Sequence, residues 1–164
     1  MTDAGIQRGG VAVGQLRDLG AVEAGAVLYL RLWADGPEGR KSARSDFDLS
    51  LGRDGGRNTA AVLEQIFNLC SRYGRRPLIR HGLTCACVGA DESCFANMIA
   101  AASEGAREDA MMMASLIVRA DLAPCLVNLA ESLGLALRRM SLDSHVTAEP
   151  QMPAVPAQGS QRLH

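Results

Sequence analysis

A chain of 164 residues, 48% of them hydrophobic, is long enough for one domain with its own core, and it needs neither disulfides nor a metal merely to stay folded. The net charge of −1 excludes a global field that would draw in nucleic acid or an acidic membrane surface. The five cysteines are an odd number; in a reducing cytosol they stand as thiols whose roles are metal binding, redox chemistry or packing.

Residues 1–14 are Gly-rich and lack periodicity, so they read as a flexible leader. Asp3 and the lack of an apolar run argue against a secretory signal. A first helix is predicted from about Leu16 to Ala34, with Val22, Ala26, Tyr29, Leu30 and Trp33 at helical spacing and Gly36–Pro37 as its stop. The next stretch is polar and broken. It allows a short helix near 42–51, with Phe47 and Leu51 as contacts, and then a loop at Gly52–Gly56. A strong helix follows from Asn58, a good N-cap residue, to Tyr73. Its apolar stripe is Val62, Ile66, Leu69, Cys70 and Tyr73.

After a segment at 75–89, Asp91 is placed to cap a helix of about 92–104, with Phe95, Met98, Ile99 and Ala102 on one face. Arg107 to Arg119 reads as the central buried helix, because AMMMASLIV is apolar nearly all round. Its three consecutive methionines must leave at least one pointing away from the local core, which favours a partner surface or self-association. Residues 122–133 form a last helix, with Pro124 in the tolerated first turn and Leu126, Leu129, Ala130 and Leu133 inward. Residues 135–140 fit helix or strand. The tail at 141–164 is rich in Pro, Gln, Ser and Ala and reads as disordered. The uncharged stretches at 110–118 and 122–130 fall short of the roughly 20 apolar residues that span a bilayer. The expectation is an all-α, compact bundle of about five helices over residues 15–140, soluble and cytoplasmic, with no membrane partner.

Chemistry concentrates at 75–94. The pattern His81-x3-Cys85-x-Cys87-x6-Cys94 offers four ligands for tetrahedral zinc, three from a loop and one from the first turn of a helix. A C-x-C pair is a less favoured bite than C-x2-C, although residues i and i+2 of an extended backbone share a side. Cysteine also packs as a small hydrophobe, the role assigned to Cys70 and Cys125 and an alternative for the other three. A redox role has a mechanism too: a thiol at a helix start beside Arg80 or His81 is stabilised as thiolate, which points to Cys94 or Cys87.

Arg75, Arg76 and Arg80 follow Arg72 at a helix end, where cations are favoured anyway. Functionally they present a positive surface to an acidic partner. Sequence-specific nucleic-acid binding is disfavoured, since the cluster has no interleaved aromatics and the helix at 122–133 offers no positive charge to base edges. No nucleophile elbow, phosphate loop or dinucleotide motif occurs, so no catalytic residue is assigned. The sequence therefore predicts a non-enzymatic interaction or regulatory protein. A structural zinc on His81, Cys85, Cys87 and Cys94 lies beside the arginine surface. The alternatives are a thiol-based redox sensor or small thiol enzyme, and a plain helical interaction module.

Overall fold

The computed structural model describes residues 8–147. Among them stand five α-helices and one two-stranded antiparallel sheet, so the chain is mostly α, as its patterning predicts. The helices are α1 (Ala21–Ala34), α2 (Pro37–Tyr73), α3 (Ala90–Ser103), α4 (Arg107–Ile117) and α5 (Ala123–Thr147). The strands are β1 (Ala12–Gln15) and β2 (Cys87–Gly89).

The predicted stripe of α1 holds: Ala26, Tyr29, Leu30 and Trp33 are buried, and Val22 packs at its edge. The broken stretch before residue 58 is more helical than its polarity predicts. Helix α2 bends at Gly52, whose φ of 76° and ψ of 169° only glycine adopts freely. The expected loop at 52–56 is thus one bend followed immediately by helix, and Asn58 lies inside the helix instead of capping it. The expected stripe of α2 holds in part: Ile66 is buried and Val62, Leu69 and Cys70 pack against the core, with Thr59, Ala60 and Leu63 also inside, while Tyr73 is exposed.

Helix α3 is the central element, with Phe95, Ala96, Met98 and Ile99 fully buried. Helix α4 is not the buried centre that its composition suggests. Ala110, Ala114 and Ile117 face inward, but Met112 and Leu116 are 71% and 70% exposed. They stand one turn apart on the outer face, so one of the three methionines does point outward.

Helix α5 continues through 135–140 as helix and carries on past 141 to Thr147. It is long and apolar enough to cross a membrane by length and composition alone. A core helix passes the same test, and here Ala123, Leu126, Val127, Ala130, Leu133 and Leu137 are buried in the common core. Gly134 sits where α5 crosses α3: a Cβ there would stand 2.6 Å from Ser103 Cβ and 2.7 Å from the Ile99 carbonyl oxygen.

The expected leader is the largest difference. Residues 1–7 lie outside the described residues, as do 148–164 of the expected tail. Residues 8–10 form a 3-10 turn, and β1 pairs with β2 in the register Ala12–Gly89, Gly14–Val88 and Gln15–Cys87, with an irregularity between Ala12 and Gly14. Leu16 N–H donates to Ala86 O at 2.8 Å and Ala90 N–H to Val11 O at 2.9 Å. The leader is thereby tied across the segment that carries the cysteines.

Because the Ile99 carbonyl belongs to the buried backbone of α3, Gly134→Ala is expected to destabilise the fold by about 1–3 kcal/mol. Urea unfolding at neutral pH measures this, and a shift of the midpoint with an unchanged slope would mark lost stability in the same native fold.

Candidate metal centre

The site is built on the first turn of α3. Gly89 is the N-cap, so Asp91 and Glu92 fall at the second and third helical positions, where the free N–H groups and the helix dipole favour carboxylates. Asp91, the expected cap, holds the incoming chain instead. It takes a two-pronged ion pair from Arg76 at 2.6 and 2.7 Å and the Ile79 N–H at 2.8 Å. Glu92 does the capping: its Oε2 accepts the Gly89 N–H at 2.9 Å.

Glu92 is also one half of a fully buried ion pair with Arg31 of α1; the two residues are 0% and 1% exposed. Arg31 Nε donates to Glu92 Oε1 at 2.7 Å and Nη2 to Oε2 at 2.9 Å. The guanidinium's remaining reach goes to the cysteine loop: Nη1 donates to Cys85 O and Nη2 to Cys87 O, both at 2.7 Å. Glu92 Oε1 also accepts the His81 N–H at 3.0 Å. One ion pair thus fixes the backbone at residues 81, 85, 87 and 89.

On the other side of that backbone the three side chains meet. His81 Nδ1 lies 3.4 Å from Cys85 Sγ and 3.1 Å from Cys87 Sγ, and the two sulfurs are 2.8 Å apart. They form a group able to hold a metal ion. The other ring nitrogen, Nε2, stands 2.8 Å from Gly10 O. A carbonyl only accepts, so Nε2 carries the hydrogen, and Nδ1 is the ring nitrogen that faces the thiols, donating to Cys85 when the ring is protonated and offering a lone pair when it is neutral. Metal-binding histidines are oriented by such outer contacts. The leader supplies this one because Gly9 and Gly10 have no side chains to collide with Asp91 and Ile79.

The charges agree with the geometry. Cys85 is pulled down to about 7, first by the hydrogen bond from Cys87 and then by that from His81. Cys87 is pushed up, chiefly because it donates to Cys85. His81 is raised by its bond to Cys85 and by the Gly10 carbonyl. Of the pair, Cys85 is therefore the more readily ionised thiol. Burial works to raise Glu92, but the hydrogen bonds from Arg31, Gly89 and His81 outweigh it and hold the carboxyl below its usual range. Asp91 behaves alike: burial opposes, and Arg76 and the Ile79 N–H prevail.

Three of the four predicted ligands are thus brought together and the fourth is not. Cys94 lies on the flank of α3 toward α4, its Sγ 3.9 Å from Met113 O, packed against the core. Burial, the largest influence, raises its thiol, and Asp91 adds to this, so it is a poor candidate for the thiolate of a redox site. Cys70 packs against the core, and burial pushes it up to about 11. Cys125 is exposed, contrary to its expected packing role, because it falls on the outer side of α5.

Each of the three site arginines has a partner within the chain. Arg75 Nε donates to Ser115 O, Arg76 binds Asp91, and Arg80 Nη2 donates to Ala34 O at 3.0 Å. The residues that sequence reasoning missed are Arg31, Gly9 and Gly10, together with the larger role of Glu92. The one available signal was a charge at 31 between Leu30 and Leu32, in the apolar second half of α1. In comparisons with known proteins, no family model, curated protein or solved structure matches the chain.

Removing one member of a buried ion pair leaves the other charge unpaired. Arg31→Met is therefore expected to cost about 3–5 kcal/mol, while Arg31→Met with Glu92→Leu recovers much of it. Urea unfolding of both variants checks this; equal losses would mean that the pair does not carry the structure. Because the folded-state values of Asp91 and Glu92 are depressed, their stabilisation is fully present above the unfolded carboxylate values of about 4 and is lost as pH falls through the folded values. Stability is expected to hold from neutral pH to about pH 5 and then fall with acid. A urea midpoint that stayed flat down to pH 3 would contradict this.

Proposed function

We propose that this chain is a non-enzymatic, cytoplasmic regulatory protein in which one zinc ion, held by His81, Cys85 and Cys87, braces the loop that enters α3. The observation that carries the reading is the convergence of His81 Nδ1 with two thiols while Nε2 is occupied by Gly10 O. Imidazole and thiolate are the ligands zinc favours, at about 2.0 and 2.3 Å in a tetrahedron. Those lengths set the two sulfurs about 3.8 Å apart and nitrogen to sulfur about 3.5 Å. The sulfurs, now 2.8 Å apart, must open by about 1 Å to admit the ion. Rotation of two half-buried side chains on a loop exposed at Gly82, Leu83 and Thr84 supplies that movement.

Three protein ligands leave the fourth position to water or to a ligand from elsewhere. A carboxylate of an acidic partner fits it, and the exposed Arg75 and Arg80, whose contacts are to backbone carbonyls, would favour such a surface electrostatically, whereas the charge of Arg76 is largely offset by Asp91. Metal takes the Nδ1 lone pair, so binding competes with protonation of the ring, and His81 is raised above its ordinary value. Affinity should therefore increase with pH through the neutral range.

A second reading is favoured by the thiolate character of Cys85, pulled down to about 7. It places a redox-responsive thiol at Cys85, not at Cys94 or Cys87. Attack of the Cys85 thiolate on hydrogen peroxide would form an S–O bond and break the O–O bond, giving the sulfenate and water.

Elemental mass spectrometry of untagged protein, purified under reducing conditions, is expected to give about one zinc per chain. Cys94→Ser should keep that zinc, and Cys85→Ser with Cys87→Ser should lose it together with part of the thermal stability. Protein that takes up no zinc even after reconstitution, yet whose Cys85 reacts with peroxide far faster than its other thiols, would replace the zinc reading with the redox one.

A further inference from the structure

A half-open cavity lies beside the Arg75–Gly89 segment, bordered by α1, α2, the start of that segment and α3. Its volume is about 230 Å³, and its walls include Leu30, Ile66, Phe67, Leu78 and Phe95. Leu30, Ile66 and Phe95 belong to the buried core, so the floor of the cavity is continuous with that core. The Cys70 thiol also lines it, and burial pushes that thiol up to about 11, so it contributes a neutral, apolar surface. Arg80 is the one charged residue in the lining.

The arrangement combines an apolar slot with a single oriented cation. Small-molecule sites are commonly apolar, with a few converging polar groups that fix orientation. Arg80 is exposed at the rim and has one N–H engaged by Ala34 O at 3.0 Å. That contact anchors the guanidinium and leaves other N–H groups to donate. A planar fork of donors matches a carboxylate in particular. The volume admits a short aliphatic chain or one aryl ring, and nothing much larger.

We infer that this cavity binds a small apolar monocarboxylate, a short fatty acid or an aryl acid, with its tail against Phe67 and Leu78 and its carboxylate on Arg80. The inference uses none of the three proposed metal ligands and shares Arg80 alone with the partner surface proposed above. The chain carries its own reporter: the single tryptophan, Trp33, is buried with its ring centroid 6.5 Å from that of Phe67.

Octanoate is titrated into the full chain while Trp33 emission is followed, with octanol and octylamine as matched probes lacking the carboxylate. The expected result is a saturable change with octanoate, weaker binding of octanol and none of octylamine. Arg80→Met should weaken octanoate at least about tenfold, the size expected for a charge-assisted contact, and leave octanol unchanged. Ser71→Phe, at another lining position, should block both. Failure of octanoate to saturate, octanol binding as tightly as octanoate, or full octanoate binding by Ser71→Phe would each overturn the inference. The comparison of probes on the unmodified chain decides even if a variant fails to fold.

Discussion

The structure around the cysteines depends on one buried ion pair. Arg31 and Glu92 come from different helices, and neither is accessible to water. Removing two charges from water costs several kcal/mol each, and their mutual attraction offsets this only when the other donors and acceptors are also satisfied. Here they are: Arg31 reaches two loop carbonyls beyond Glu92, and Glu92 accepts two backbone N–H groups beyond Arg31. Among the described residues, no buried side-chain nitrogen or oxygen is without a hydrogen-bond partner. The pair's value is therefore specificity. A hydrophobic pair of similar volume would pack as well, but it would leave the loop without its four anchoring bonds.

The C-x-C spacing acts twice in this arrangement. In an extended backbone, groups two residues apart share a side. The carbonyls of Cys85 and Cys87 therefore both face one guanidinium, while their sulfurs both face His81. Arg31 grips the backbone and leaves the thiols free for chemistry. Gly10 does the same for the imidazole, taking one nitrogen and leaving the other. The site is thus positioned through main-chain contacts, and its three candidate ligand atoms are left to contact one another.

Helical periodicity made much of the fold legible. The inward faces of α1 and α3 are those that the apolar spacing predicts, and the group His81, Cys85 and Cys87 was visible as a local cluster. The remainder failed for physical reasons. The leader looked featureless because Gly9, Gly10 and Gly14 carry no side-chain pattern, yet at Gly9 and Gly10 that bareness is what lets the backbone approach Asp91 and Ile79. Cys94 is close to the cluster in sequence, but helical rotation carries it toward α4. Arg31 was overlooked because an isolated charge on an apolar helix resembles a solvated residue until its partner 61 positions away is known. Composition misled at α4, where the small Ala110 and Ala114 form the buried face and the larger Met112 and Leu116 do not.

The central claim is that His81, Cys85 and Cys87, positioned by Arg31 and Glu92, constitute a metal site from which Cys94 is excluded. X-ray absorption at the zinc edge of the reconstituted chain tests this most directly. The account predicts two sulfur ligands at about 2.3 Å and a histidine nitrogen at about 2.0 Å, with a light atom completing the shell. A shell with three sulfurs, which would require Cys94, or one made only of oxygen and nitrogen, would contradict it.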